Sequence, residues 1–150
     1  MKIKFRKATD KDAAHILSME KSFSSKTYHA YSNIDEITSN YLRKGNAFLI
    51  LDVKDNPVGF ISYEMRGTSQ AYINDLTVMY EYQNKGIGSK AIGFMMERLK
   101  DTKRIELVTH PKNIPAVKLY LKFGFEIEGW KDNYYGDGEP RLILVKSKVK

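Results

Sequence analysis

Between a run that ends at Val78 and an amphipathic stretch lies Gln83-Asn84-Lys85-Gly86-Ile87-Gly88, the segment best equipped for chemistry. Strand, glycine loop and helix in that order make a device for holding phosphate. The glycines let the backbone turn sharply and approach an anion, several N–H groups point inward, and the helix N-terminus adds positive potential. Gly86-x-Gly88-x-x-Ala91 also has the spacing of the dinucleotide fingerprint, and Glu106 lies about twenty residues on, where the ribose-binding acid would stand. Against that, eight positions separate Val78 from Gly86, Glu106 sits inside an apolar strand, and too little chain remains for a catalytic domain. No Gly-Lys-Ser/Thr follows the first glycine, so a nucleotide P-loop fails as well. A glycine turn that merely starts a helix is the plain alternative, and the surroundings have to decide.

Proton chemistry has few candidates. Glu106 is an acid in a mostly apolar strand, where burial would raise its pKa toward that of a useful base. Asp75, on the preceding strand, is the second candidate, acting directly or through water. His110 stands beside Pro111 at a strand end and reads as a surface loop histidine, with a proton relay as the alternative. His15 and His29 have no carboxylate or histidine at ligand spacing, so no metal is expected. There is no cysteine, which excludes disulfides, thiolate metal sites and a cysteine nucleophile.

The elements that must position these groups follow from periodicity. Residues 2–7 alternate apolar and basic side chains, as a half-buried strand does. Thr9 and Asp10 cap a helix with Ala13, Ile16 and Leu17 on one face, and a second helix after Asn33 turns Ile34, Ile37, Tyr41 and Leu42 inward. Residues 48–53 and 58–66 form a hairpin, and 72–78 a strand that leads into the glycine loop. The helix after the loop carries Ala91, Ile92, Met95 and Leu99 at helical spacing. A strand over 104–109, a short helix over 114–123, and strands over 125–130 and 142–148 complete the order βααβββαβαβ with a final β. Alternation in the second half implies parallel pairing there, and the early hairpin is antiparallel.

The whole chain, 1–150, fits one domain with a core of its own. No stretch is apolar enough to span a membrane and the first residues do not form a signal peptide, so a cytoplasmic protein is expected. The net charge of +7 comes from lysines scattered along the sequence, which reads as a solvated basic surface, suited to an anionic coenzyme, and not as a nucleic-acid site.

Val78-Met79-Tyr80-Glu81-Tyr82-Gln83-Asn84-Lys85-Gly86-Ile87-Gly88 resembles the signature of the GNAT acetyltransferase superfamily, a strand ending in Val, a short linker with an aromatic, then Arg/Gln-x-x-Gly-x-Gly/Ala. The segment from Asn113-Ile114-Pro115-Ala116 through Leu119-Tyr120 to Gly124-Phe125 is similar to that family's second signature. Together with the element order, the resemblance covers nearly the whole chain. It implies an α/β fold with a mixed central sheet of about seven strands, flanked by four helices and splayed between the fourth and fifth strands. Within the superfamily the chain is most similar to N-terminal protein acetyltransferases of the ribosomal-protein-alanine and archaeal Ard types. Tyr134-Tyr135-Gly136-Asp137-Gly138-Glu139 resembles their hairpin and Met19-Glu20-Lys21-Ser22-Phe23 their first helix, whereas Pro140-Arg141 departs from the family's Asp-Ala.

The resemblance implies acetyl-CoA as cosubstrate and direct transfer of acetyl to an amine. Backbone groups of Leu76, Thr77 and Val78 would pair with the pantetheine arm and stabilise the oxyanion. Gln83, Asn84, Lys85, Gly86, Ile87, Gly88 and Ser89 would cradle the pyrophosphate, and Asn113 would bond the pantetheine arm. Tyr120 would protonate the leaving thiolate. The base stays open: a glutamate of the ribosomal-alanine type falls at Val108 by ungapped counting, so Glu106 fits only with two inserted residues. Ser24-Ser25-Lys26-Thr27-Tyr28 offers no counterpart to the Ard-type loop glutamate. Phe23, Tyr28, Tyr31, Tyr134 and Tyr135 would line the acceptor groove, or else pack two loops together. A protein N-terminal α-amine is the expected acceptor, with a reference pKa near 7.7–8.0 against about 10.4 for lysine, so it is neutral more often at neutral pH. A small amine (polyamine, amino acid or aminoglycoside) is the alternative, as are a regulatory coenzyme-binding module and, last, a nucleic-acid binder. A monomer or homodimer is expected.

Overall fold

The computed structural model describes residues 1–23 and 30–148. Seven strands form one sheet in the order β1-β2-β3-β4-β5-β7-β6: β1 Lys4–Lys7, β2 Asn46–Leu51, β3 Pro57–Met65, β4 Gln70–Val78, β5 Arg104–Thr109, β6 Glu126–Lys131 and β7 Arg141–Ser147. The helices are α1 Ala13–Ser22, entered through a 3-10 turn at Asp10–Asp12, α2 Ile34–Ile37, which widens into a π-helical stretch at Thr38–Arg43, α3 Ile87–Arg98 and α4 Ile114–Lys122. The expected mixed fold with its seven strands and four helices is therefore present.

Period-two alternation explains the layering. On β2, Phe48 and Ile50 point into one core cluster with α3 and α4, while Ala47, Leu49 and Leu51 point into a second with α1 and α2. The sheet is thus covered on both faces. Thr9 and Asp12 exchange a reciprocal capping box, in which the Thr9 N–H donates to Asp12 Oδ2 at 2.8 Å. Asn33 Oδ1 likewise caps α2 by accepting from the Glu36 N–H at 2.9 Å. Ile34 is 46% exposed and not turned inward, because α2 begins only at that residue and its inner side starts with Ile37.

Only one pair in the second half is parallel, β4 with β5; β7 inserts antiparallel between β5 and β6, so the expected run of parallel pairing shrinks to a single ladder. That ladder runs from Gln70↔Arg104 to Ile73↔Leu107 and stops, although β4 continues to Val78 and β5 to Thr109. Beyond it the two strands part, which is the splay between the fourth and fifth strands. A bulge sits at the fork: Ser62 pairs with Asp75 and Tyr63 with Ile73, leaving Asn74 as the extra residue. Asn74 is held there by donating to Glu64 Oε1 at 3.0 Å.

Candidate active site

The glycine loop has the geometry that anion binding requires. After the 3-10 turn Tyr80–Tyr82, Asn84 (φ 62°) and Gly86 (φ 78°) take left-handed conformations and α3 starts at Ile87. Among the described residues no side chain caps this helix. Its first ladder bond runs from the Lys90 N–H to the Gly86 carbonyl, so the N–H groups of Ile87, Gly88 and Ser89 precede the ladder. Asn84, Lys85 and Gly86 are exposed, while buried Ile87 anchors the turn in the core. Gly88 does a different job: a Cβ there would come within 3.3 Å of Leu119 on α4, so its bareness lets α3 lie against α4. The Gln83 side chain closes the turn by donating to the Val78 carbonyl at 3.0 Å, so its amide is already engaged by the protein.

A cavity of about 470 Å³ opens at the splay. Asp75 and Leu76 of β4, Asn113 at the start of α4 and Tyr120 within it, and Tyr31, Tyr134 and Tyr135 from the loops all line it, so seven of the expected site residues meet here. Phe23 is half-buried at the end of α1 and is not in the cavity wall, and Tyr28 lies outside the described residues. Thr77 supports the cavity from behind: its Oγ1 donates to Asp75 Oδ1 at 2.5 Å, while the Tyr41 hydroxyl donates to Asp75 Oδ2 at 3.1 Å. Asn113 caps α4, its Oδ1 accepting from the Ala116 N–H at 3.4 Å.

Burial, and then the negative charge of Asp75, hold the Tyr120 phenol above its ordinary value. Tyr31 is pushed up to about 12, by burial and then by Glu20. Tyr72 and Tyr135 share a hydrogen bond, and burial raises both.

Glu106 does not line the cavity. It stands on the other face of β5 from core residues Ile105 and Leu107, half-exposed, with Arg104 Nη2 at 3.3 Å from its Oε1. The burial on which its role as base rested is missing. His110 is corrected too. It is 1% exposed, accepts the Lys112 N–H on Nδ1 at 3.0 Å and places Nε2 2.9 Å from Glu139 Oε1. Sequence reasoning also passed over Glu20, fully buried, and Tyr41 as a partner of Asp75. Glu20 had a signal: it falls seven residues after Ala13 and four after Ile16, on the apolar face of α1. Among the described residues no cluster of three or more His, Asp and Glu could hold a metal, and no helix is long and apolar enough to cross a membrane.

The family model described as the acetyltransferase (GNAT) family matches residues 12–125. The chain belongs to this family. It is accordingly an acyltransferase, with acetyl-CoA as donor. This acetyltransferase is 25% identical to an N-alpha-acetyltransferase of Sulfolobus acidocaldarius, over 93% of the chain and 89% of that protein. It is 26% identical to the spermine/spermidine N(1)-acetyltransferase of Bacillus subtilis, over 88% of the chain and 93% of that protein. In fold it is similar to the ribosomal-protein-S18-alanine N-acetyltransferase of Escherichia coli, with a TM-score of 0.82 at 18% identity, covering 99% of this chain and 96% of the other.

Proposed function

We propose that the acetyltransferase acts as one domain on the α-amine of protein N-termini, with Asp75 as base and Tyr120 as acid. The observation that carries this reading is the placement of a buried carboxylate and a buried phenol around one cavity at the splay, beneath a tyrosine hairpin.

Acetyl-CoA supplies an activated acyl group. Asp75 takes a proton from the acceptor nitrogen, which leaves the lone pair free for the thioester carbonyl. The β4 backbone at Leu76, Thr77 and Val78, without a β5 partner beyond Ile73, is available to the pantetheine arm and to developing negative charge on oxygen. Tyr120 donates its proton to the departing sulfur; of the two protons that leave the ammonium, one ends on sulfur and the other in solvent. The exposed turn at Asn84, Lys85 and Gly86 and the first N–H groups of α3 hold the pyrophosphate, and Asn113 bonds the pantetheine arm.

The cavity wall also bears on the acceptor. Lys44, Arg66 and Arg141 line it along with the two acids Glu64 and Asp75, which suits a peptide end with one positive charge better than a polyamine with several. Tyr31, Tyr134 and Tyr135 offer flat apolar walls with hydroxyls for a peptide backbone. The test is release of free thiol from acetyl-CoA with peptides starting in Ser, Ala or Met, set against spermidine and lysine. Faster turnover of the peptides is expected; preference for spermidine would transfer the enzyme to the small-amine class.

A further inference from the structure

Glu20 is a buried acid that the reaction as written does not use. It sits near the end of α1 with no exposed surface. Its Oε1 accepts the Tyr31 N–H at 2.6 Å, and Oε2 has no hydrogen bond among the described residues. From the elements around it, it faces Tyr31 and Glu36, Tyr41, and Asp75 on β4, and no cation pairs with it among the described residues. A bare carboxylate in such surroundings is strongly disfavoured, so the group keeps its proton. Burial first, and then the charge of Asp75, push it up to about 8.

The Tyr41 hydroxyl donates to Asp75 Oδ2 at 3.1 Å, and the same hydroxyl acts on Glu20 by lowering its pKa against the effect of burial. A protonated Glu20 can donate to the phenol oxygen that this leaves as an acceptor. With that bond made, the three groups would form a chain from the closed core to the cavity wall, each link orienting the next.

We propose that Glu20 is a positioning residue for amine deprotonation: as a neutral carboxyl behind Tyr41, it fixes the tyrosine proton on Asp75 and keeps Asp75 ionised toward the acceptor nitrogen. The inference rests on Asp75 as base. Glu20 gains and loses nothing over the cycle. The first proton taken from nitrogen goes to an Asp75 oxygen and on to solvent, the N–C bond forms, the C–S bond breaks, sulfur takes the proton of Tyr120, and the second nitrogen proton restores the phenol. Ionised, Glu20 would add a second negative charge beside Asp75 and leave one hydroxyl proton for two acceptors.

Three variants test this with the intact chain: Glu20→Gln, Glu20→Leu and Asp75→Asn, each checked for a cooperative melt. Glu20→Leu removes the buried acid and should melt no lower than the parent, yet lose about tenfold in kcat, the worth of one oriented hydrogen bond, with the KM for acetyl-CoA unchanged. Glu20→Gln keeps a neutral donor and should recover most of kcat, while any inflection of kcat near pH 8 disappears. Parental kcat in Glu20→Leu, or equal losses in Glu20→Gln and Glu20→Leu, would overturn the inference. Asp75→Asn separates the two claims: parental kcat there removes Asp75 as base, whereas an inactive Asp75→Asn beside a fully active Glu20→Leu removes only the role of Glu20.

Discussion

Tyr120 and Asp75 line one cavity with opposite tasks, and burial serves only one of them directly. A buried phenol near a carboxylate holds its proton firmly, so Tyr120 stays neutral and has its proton at hand when negative charge develops on the departing sulfur. Tyr120→Phe should then lower kcat by about a hundredfold, the scale of one general acid, while calorimetry finds acetyl-CoA binding unchanged. Unchanged turnover would remove Tyr120 from the acid role. Asp75 meets the converse difficulty, and the hydroxyls of Tyr41 and Thr77 meet it by donating to both its oxygens. Glu20 has no such help, and its cost is readable in pH. The carboxyl moves from 4.5 in its ordinary state to about 8 in the fold. Below the first value both states hold the proton and nothing is lost. Between the two the unfolded chain releases it while the native chain keeps it, so stability falls as pH rises, by at most about 1.4 kcal/mol per pH unit, and levels off beyond the upper value. Denaturant titrations across that range should show this decline in the parent and a flatter profile in Glu20→Leu. Equal slopes in both proteins would mean that Glu20 is ionised in the fold.

The β6–β7 hairpin is held by contacts that no local pattern announces. The Lys112 N–H occupies His110 Nδ1, which assigns the ring proton to Nε2, and that nitrogen donates to Glu139. Arg141 Nη2 reaches Asp137 Oδ2 at 3.1 Å, and Tyr135 bonds Tyr72 on β4. These ties hold Tyr134 and Tyr135 over the cavity. His110→Ala should therefore raise the KM for the acceptor peptide by about tenfold, as loss of a single buried hydrogen bond permits, with the KM for acetyl-CoA and most of kcat retained. A rise in both KM values together would mark general loosening instead. The sequence places His110 beside a proline at a strand end, which reads as surface, because Glu139 comes near it only through pairing of β5 with β7. Glu106 was misjudged for the related reason that neighbours on one strand do not say which face a partner strand and a local arginine leave open. The elements themselves were legible: β5 and α4 begin where periodicity places them, and Ala91, Ile92, Met95 and Leu99 are buried as the helical spacing requires.

At the scale of the molecule, one end of the sheet collects everything, because β4 carries both halves of the site. Its stretch after Ile73, which has left β5 and pairs with β3 alone, lines the cavity, and its exit at Val78 feeds the glycine turn. The turn was legible since it is local: left-handed Gly86 and the uncapped start of α3 follow from a few adjacent residues. The cavity was legible only in part, since its walls come from α4, β4, the π-helical stretch and the hairpin, which meet through tertiary packing. Net charge is the remaining property of the whole, and it has a kinetic consequence. A chain carrying +7, with exposed Lys85 and Lys90 at the turn, draws in a polyanionic coenzyme by long-range attraction that dissolved ions screen. Raising ionic strength from about 0.01 M to about 0.5 M shortens the screening length from roughly 30 Å to a few ångströms. The kcat/KM for acetyl-CoA should fall severalfold over that interval, while kcat, measured at saturation, stays level because the transfer itself occurs inside the cavity. Replacing both Lys85 and Lys90 by Gln should weaken this dependence without altering kcat. A kcat that falls in parallel with kcat/KM would instead place the salt-sensitive charges at the reacting groups.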